Sequence, residues 1–170
     1  IVPAIVPPDI RVGPQAPAAS TTGDTVTLSA EATSGTQPSY EWQRRGPDGT
    51  TFTQIWAGLA LASAGGWTAA YTFTPTSGDD LASYRVIFRN GKESTSGATT
   101  LTVVSATIDP TSGSSGDRIS VAGTGFGATM TVRFAGSAGA TDATVIDRTS
   151  ATATLPADAT SGLVIVTTRG

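Results

Sequence analysis

Apolar and polar side chains alternate clearly from residue 24, where DTVTLSAEA sets Val26, Leu28, Ala30 and Ala32 against Thr27, Ser29 and Glu31. A period of two marks a strand with one buried face, because successive side chains leave opposite faces of the pleat. Further strands are predicted in YEWQRR (40–45), with Tyr40 and Trp42 on one face, in TFTQIW (51–56), and in WTAAYTFTP (67–75), with Tyr71 and Phe73 inward. LASYRVIFRN (81–90) and ATTLTVV (98–104) follow, the latter supplying Leu101 and Val103. SGTQPS and GPDGT separate strands as turns, and Asn90-Gly91 is the strongest hairpin signal, since a tight two-residue turn needs φ > 0 at both positions. About seven short strands in roughly 95 residues predict a two-layer sandwich.

A second pattern begins after almost no linker. SATIDPTSGSSGDRISVAGTGFG reads as strand, turn and strand with Ile119 and Val121 inward, and TVRFAG, ATVID, SATATLP and SGLVIVTT continue as short strands. The junction VVSATI is strand-like on both sides, which predicts a stiff tandem. Upstream, residues 1–17 hold five prolines (Pro3, Pro7, Pro8, Pro14 and Pro17), which fix φ and remove backbone donors, so this stretch is expected to be an extended connector or edge segment.

Composition strengthens the β reading. Charged residues make up 14% of the 170 residues, against about 25% in ordinary domains, and Leu, Glu, Lys and Arg are too scarce for long amphipathic helices. The net charge of −3 divides as about −2 and −1 on either side of residue 104, so neither part carries the basic footprint that nucleic acid requires. No apolar run is long enough to span a bilayer, and no membrane insertion is expected. Cysteine and histidine are both absent, which excludes disulfides, thiolate nucleophiles, the usual zinc sites and every triad built on His. The chain starts at Ile1, and IVPAIVPP lacks the basic segment of a signal peptide, so the sequence is read as an excerpt of a longer polypeptide.

Two resemblances follow from particular residues. Trp42 lies twelve residues after Ala30, and Asp80, Ala82, Tyr84 and Val86 reproduce a D-x-A-x-Y-x-C frame with Val in place of Cys. Over residues 9–104 the chain therefore resembles bacterial and phage immunoglobulin-like domains that lack the disulfide. The resemblance implies that Ala30 and Val86 occupy the bridge positions beside Trp42, and that the Tyr84 hydroxyl bonds back to nearby backbone. A lost bridge removes about 2–4 kcal/mol, so burial of Trp42, Tyr71, Phe73 and Phe88 is expected to carry more of the stability. Such a module folds without an oxidising compartment.

The second part, residues 105–170, resembles the IPT/TIG family in Ile108, Pro110, Ser112-Gly113, Gly116, Ile119, Val121, Gly123-Thr-Gly-Phe126-Gly127, Val132, Phe134, Gly136, Leu155-Pro156, Gly162, Val164 and Val166. Family members usually continue beyond the strand read at 163–168, which implies a last strand or edge partner outside this sequence. The fold class expected is all-β, as two tandem immunoglobulin-like β-sandwiches, with Ala30, Trp42, Tyr84 and Val86 in the first core and Ile119, Val121, Phe126 and Phe134 in the second.

Candidate chemistry is sparse. The GTGFG string lacks the following helix and Lys-Ser/Thr of a phosphate loop, so its glycines are expected to shape a tight turn around Phe126. Asp79 and Asp80 read as solvated turn acids, and a calcium site drawing on Asp109 and Asp117 would still need six or more oxygen ligands. Arg44 and Arg45 form a small basic spot. Trp56 and Trp67 flank a Gly/Ala-rich stretch and are the candidates for partner contact, although Trp67 shares the parity of Tyr71 and Phe73 and so belongs equally to the top of the core. No catalytic, cofactor-binding or metal-binding residue is assigned.

The expected function is that of a non-enzymatic structural and interaction module without cofactors, present in many copies in a larger assembly of protein subunits. The resemblances point to a phage virion (tail, fibre or head decoration) or to an extracellular or cell-surface location. The alternative is a carbohydrate-binding or adhesion accessory module of a bacterial surface protein, which would meet a host-surface glycan. Some IPT/TIG-like domains bind DNA, but the acidic pI of about 4.7 opposes that here.

Overall fold

The computed structural model describes residues 4–169, and within them the chain is all-β, its antiparallel sheets packed as sandwiches. It divides into two compact units, Ile1–Val103 and Val104–Gly170.

The first unit is built from β1 (Asp9–Gln15), β2 (Ser20–Thr21), β3 (Val26–Thr33), β4 (Ser39–Arg45), β5 (Thr53–Leu59), β6 (Leu61–Ser63), β7 (Gly66–Phe73), β8 (Ser83–Arg89), β9 (Glu93–Thr95) and β10 (Thr99–Thr100). One sheet has the order β1-β3-β7-β6 and the other β10-β8-β4-β5, with β9 also paired to β8. The Pro-rich start thus contributes the edge strand β1 from Asp9 onward, while Pro3 lies outside the described residues. The alternation in DTVTLSAEA becomes the inward face of β3, with Val26, Leu28, Ala30 and Ala32 all buried.

Trp42, Tyr84, Val86, Phe88, Leu101 and Val103 complete this core, and each is fully enclosed. Burying a side chain such as Leu28, Phe88 or Leu101 contributes roughly 1.5–3 kcal/mol, so a few such residues match the cross-link that the cysteine-free core lacks. Ala30 faces Ala69 across β3 and β7, whereas Val86 faces Trp42 across β8 and β4, so one small and one medium side chain belong to opposing sheets beside the tryptophan.

Two local details depart from the sequence reading. The Asn90-Gly91 turn does not place both residues at positive φ: only Gly91 does, at 98°. Arg89 pairs with Glu93, leaving a three-residue loop in which Asn90 N–H donates to Lys92 O and the Asn90 side chain accepts from Lys92 N–H. The added residue relieves Asn90 of the left-handed backbone that a two-residue turn demands. The strand expected over 51–56 runs instead over Thr53–Leu59, because its ladder with β4 continues through Gly58 and Leu59 opposite Tyr40 and Ser39.

The second unit contains β11 (Val103–Asp109, beginning at the last residue of the first unit), β12 (Arg118–Thr124), β13 (Thr129–Arg133), β14 (Thr141–Val145), β15 (Ser150–Thr154) and β16 (Ile165–Arg169). These run in the order β16-β13-β14-β15-β12-β11. β14 changes partners midway: residues 141–143 pair with β13, and Thr144 and Val145 pair with β15. The switch folds one hydrogen-bonded path into two layers around Ile119, Val121, Phe126, Met130, Val132, Phe134, Ala151 and Ala153. Among the described residues β16 pairs only with β13, which leaves it an edge strand.

Candidate functional site

The residues singled out in the sequence fall at the edge of the first unit around Trp56, at the corner around Tyr84, and, in the second unit, in the glycine loop and in a cleft at the other end of β12.

At the edge, Trp56 is the direct partner of Trp42, and Gln54 pairs with Gln43, so Ile55 is the extra residue of a bulge. A bulge puts two residues of one strand opposite one of its neighbour and re-aims the side chains there. Here Ile55 packs against the core, and the Trp56 ring lies 6.3 Å from Tyr71 of the other sheet while remaining 52% exposed. Tyr71 stacks on Phe73 at 4.9 Å, and Phe73 meets buried Tyr84 at 5.5 Å, so a row of aromatic rings runs from the surface into the core. Offset and tilted ring pairs at such distances contribute about 0.5–1.5 kcal/mol each. Next along the strand, Gly58 leaves room for Tyr40, since a Cβ there would sit 3.2 Å from its hydroxyl. That hydroxyl donates to Ala70 O at 3.1 Å and ties one sheet to the other.

Beyond Gly58 the chain passes from one sheet to the other through Leu59, buried Ala60 and Leu61, and both leucines are largely exposed. Residues 49–78 contain no Asp, Glu, Lys or Arg, so β5, β6 and β7 all lie in an uncharged run. Trp67, by contrast, is partly buried against the core and its indole N–H donates to Ser34 O at 3.1 Å. Of the two candidate tryptophans, Trp56 presents its ring to solvent and Trp67 is held by the fold.

At the corner, the Tyr84 hydroxyl donates to the Asp79 carboxylate at 3.0 Å, and not to backbone as the resemblance implied. Asp79 sits in a single 3₁₀ turn, Ser77–Asp79, and also accepts from Thr76 N–H at 2.9 Å, Thr76 Oγ1 at 3.0 Å and Arg44 Nε at 2.9 Å. The carboxylate, being charged, is a stronger acceptor than a carbonyl and displaces it as the partner of the buried phenol. Burial alone would raise the Asp79 pKa, but the bonds from Thr76 and Tyr84 and the charge of Arg44 outweigh it, and the net shift is downward. Burial, followed by the neighbouring carboxylate, pushes the Tyr84 phenol well above its ordinary range. Asp80 turns elsewhere and accepts from Val103 N–H at 3.0 Å. The two adjacent acids therefore serve separate structural bonds. Between them and β8, Leu81 adopts φ 61°, a left-handed backbone that costs a non-glycine residue about 1–3 kcal/mol.

The basic spot is engaged as well. Arg44 spans Asp79 and Gly78 O, while Arg45 donates to Ser83 Oγ at 3.2 Å and lies over Phe52 together with Arg85. On the outer face of β4 and β8, Arg89 pairs with Glu41 at 2.8 Å and with Glu93 at 3.3 Å.

In the second unit three amides of the glycine loop are already engaged. Gly123 N–H donates to Thr149 O, Phe126 N–H to Arg148 O and Gly127 N–H to Thr168 Oγ1. Gly125 takes φ 70°, which swings Phe126 into the core at 2% exposure. A Cβ on Gly123 would collide with the Ser105 carbonyl, so close packing of β11 on β12 fixes that glycine. At the other end of β12, Ile108, Ile119, Phe134, Leu155 and Val164 line a cleft of about 250 Å³, which falls short of the ~300–1,000 Å³ of small-molecule sites. Asp117 accepts from Ser114 N–H at 2.7 Å. Among the described residues no three carboxylates gather as they would around a metal ion, and no helix is long and apolar enough to cross a membrane.

Neither a protein-family model nor a curated protein matches the chain.

The sequence reading missed the bulge at Ile55 and the exposure of Leu59 and Leu61. The uncharged run itself was legible, and it was the signal that marks this edge.

Proposed function

We propose that the chain is a non-enzymatic structural and interaction module of a larger assembly, either a virion component (tail, fibre or head decoration) or part of an extracellular surface structure. In this reading both units are immunoglobulin-like, the second of the IPT/TIG kind. The strand order β1-β3-β7-β6 against β10-β8-β4-β5 supports it for the first unit, since immunoglobulin sandwiches set A-B-E-D against G-F-C and variable types add an edge strand beside C. The observation that carries the functional reading is the edge at β5 and β6. Trp56, Leu59 and Leu61 stand exposed there within an uncharged run, whereas the ionised groups of Arg44, Asp79, Arg89 and Glu41 are occupied with one another. Exposed aromatic side chains are enriched at protein contacts, and Trp56 is the exposed aromatic ring of this edge.

The test is to locate the chain in its source. Antibodies raised against residues 4–169 would be used for immunogold labelling of intact particles and cells, alongside sedimentation of lysates. Regular labelling of particles or of the cell surface, with the chain in the fast-sedimenting fraction, is expected. Recovery of the chain solely as a free, slowly sedimenting protein sinks the reading.

A second reading, a carbohydrate-binding module, draws on one observation: the Trp56 ring is half exposed beside Tyr71, an arrangement on which a sugar ring can stack. Saturable quenching of tryptophan fluorescence by a polysaccharide, abolished in Trp56→Ala, is the result this reading requires.

A further inference from the structure

The first unit contains five arginines, and they are of two kinds. Arg11 meets Asp9, Arg44 meets Asp79, and Arg89 meets both Glu41 and Glu93. Among the described residues, Arg45 and Arg85 are in no ion pair.

The two without a carboxylate are neighbours. Arg45 pairs with Ser83 and Gln43 with Arg85 across β4 and β8, so both arginines leave the same outer face of the sheet, one diagonal step apart. Both guanidiniums lie over the Phe52 ring, 5.0 Å and 4.2 Å from its centroid. Glu41 stands further along that face, but its carboxylate is held by Gln43 at 2.6 Å and by Arg89 at 2.8 Å.

Neutral groups fix the pair. Arg85 Nε donates to Gln43 Oε1 at 2.8 Å, and Arg45 Nη2 donates to Ser83 Oγ at 3.2 Å. Stacking on Phe52 occupies guanidinium faces and leaves N–H donors on their rims: both Nη groups of Arg85, and Nε and Nη1 of Arg45. Two like charges gathered on one ring with donors to spare are complementary to an anionic oxygen ligand.

The surroundings select the kind of anion. Arg45, Arg85 and Phe52 are half-buried on a sheet face, which suits a group carried on a larger surface, whereas small molecules are held in concave sites. A densely charged polyanion would meet the net charge of −3 and the carboxylates of Glu41 and Glu93 on the same face. One or two carboxylates on a protein segment bring less repulsion. A planar carboxylate also matches the guanidinium fork, and Arg89 and Glu41 make such a contact at 2.8 Å on this face.

We infer that Arg45 and Arg85, aligned by Phe52, form a docking site for carboxylates on an acidic segment of a partner protein. This rests on the interaction-module reading and gives the chemistry of its partner.

The test titrates a blocked peptide of sequence Gly-Glu-Gly-Glu-Gly into the 15N-labelled chain at low ionic strength and follows the arginine Nε–Hε signals by NMR. The signals of Arg45 and Arg85 should shift saturably while that of Arg11 stays in place. Arg45→Gln and Arg85→Gln should each weaken binding about fivefold or more, whereas Arg11→Gln, which removes the same charge elsewhere, should leave it nearly unchanged. Phe52→Leu keeps both charges and should also weaken binding, because the guanidiniums lose their common support. The shifts of the wild-type signals decide the question even where a variant fails to fold. Absence of a saturable shift at Arg45 and Arg85 overturns the inference, as does equal weakening by Arg11→Gln, which marks general attraction to a charged chain. Tighter binding of a heparin tetrasaccharide at the same ionic strength overturns the carboxylate assignment in favour of a sulfated glycan. If immunogold places the chain in an assembly while the peptide leaves Arg45 and Arg85 unmoved, the docking site fails and the module reading stands.

Discussion

Replacing Tyr84 with Phe removes one oxygen from the buried corner and leaves the ring in place. In the native fold that oxygen donates to Asp79 at 3.0 Å, and the tyrosine is fully enclosed. A hydrogen bond to a charged group contributes about 1.5–3 kcal/mol. Asp79 keeps Arg44 Nε and two Thr76 donors after the substitution, so its carboxylate is not stranded and the low end of that range applies. We expect a loss of about 1.5 kcal/mol, measured by urea denaturation followed through tryptophan fluorescence. For a unit of this size it corresponds to a fall in Tm of roughly 6–12 °C.

Tyr40→Phe is the control: its hydroxyl, on an otherwise similar ring, donates to the neutral Ala70 carbonyl and should cost only ~0.5 kcal/mol. A cycle combining Tyr84→Phe with Asp79→Asn should return a coupling energy of about 1 kcal/mol, because the two side chains share one bond. If Tyr84→Phe costs no more than Tyr40→Phe, the charged acceptor contributes nothing and the reasoning fails.

The remaining predictions concern acid, the glycine loop and the missing bridge. The Asp79 pKa lies below its ordinary 3.8 in the fold, so the unfolded chain takes up the proton first as acid is added. The stability this supplies is complete above the unfolded value and is lost as pH falls toward the folded one; a urea series from pH 6 to pH 2 should show a decline that Asp79→Asn flattens. Gly123→Ala would force β11 away from β12 at the Ser105 carbonyl and should cost at least about 2–3 kcal/mol, whereas Gly139→Ala, with open space around it, should be nearly silent by the same assay. Ala30→Cys/Val86→Cys should form a disulfide that raises stability by about 2–4 kcal/mol over its reduced form, and thiols that stay free after oxidation would count against the positional resemblance from which the pair was chosen.

The sequence and the fold agree most closely where one rule acts alone. DTVTLSAEA has no competing constraint, and its alternation became the inward face of β3 residue by residue. The β5 region shows the opposite case. Period-two reading assigns Ile55 and Trp56 to opposite faces, but the bulge sends Ile55 into the core and swings Trp56 over Tyr71, and bulges leave no mark in the pattern of apolar residues. Asp79 illustrates a second limit. Its neighbour Asp80 belongs to the recognisable frame, so Asp79 reads as a spare turn acid, although it binds Thr76 of its own turn, Tyr84 a few residues on and Arg44 of β4. The Arg44 contact depends on tertiary placement, which spacing along the chain does not encode. The exposed edge lies between these cases: its lack of charge is plain in the letters, but which side chains reach solvent is decided by the bulge and by the crossing at Ala60.

The exchange of partners within β14 also bears on how the second unit comes apart. Residues 141–143 hold β13, and Thr144 and Val145 hold β15, so both layers hang on one five-residue segment. A layer that opens pulls on the strand the other layer shares, so loss of one ladder weakens the other. Subglobal opening usually follows contiguous structural units, and here the smallest unit that contains β14 is nearly the whole of the second half. Amides of β13 and β15 should therefore exchange with solvent hydrogen through a common opening and report one free energy, while those of β16, held on one side only, should exchange earlier.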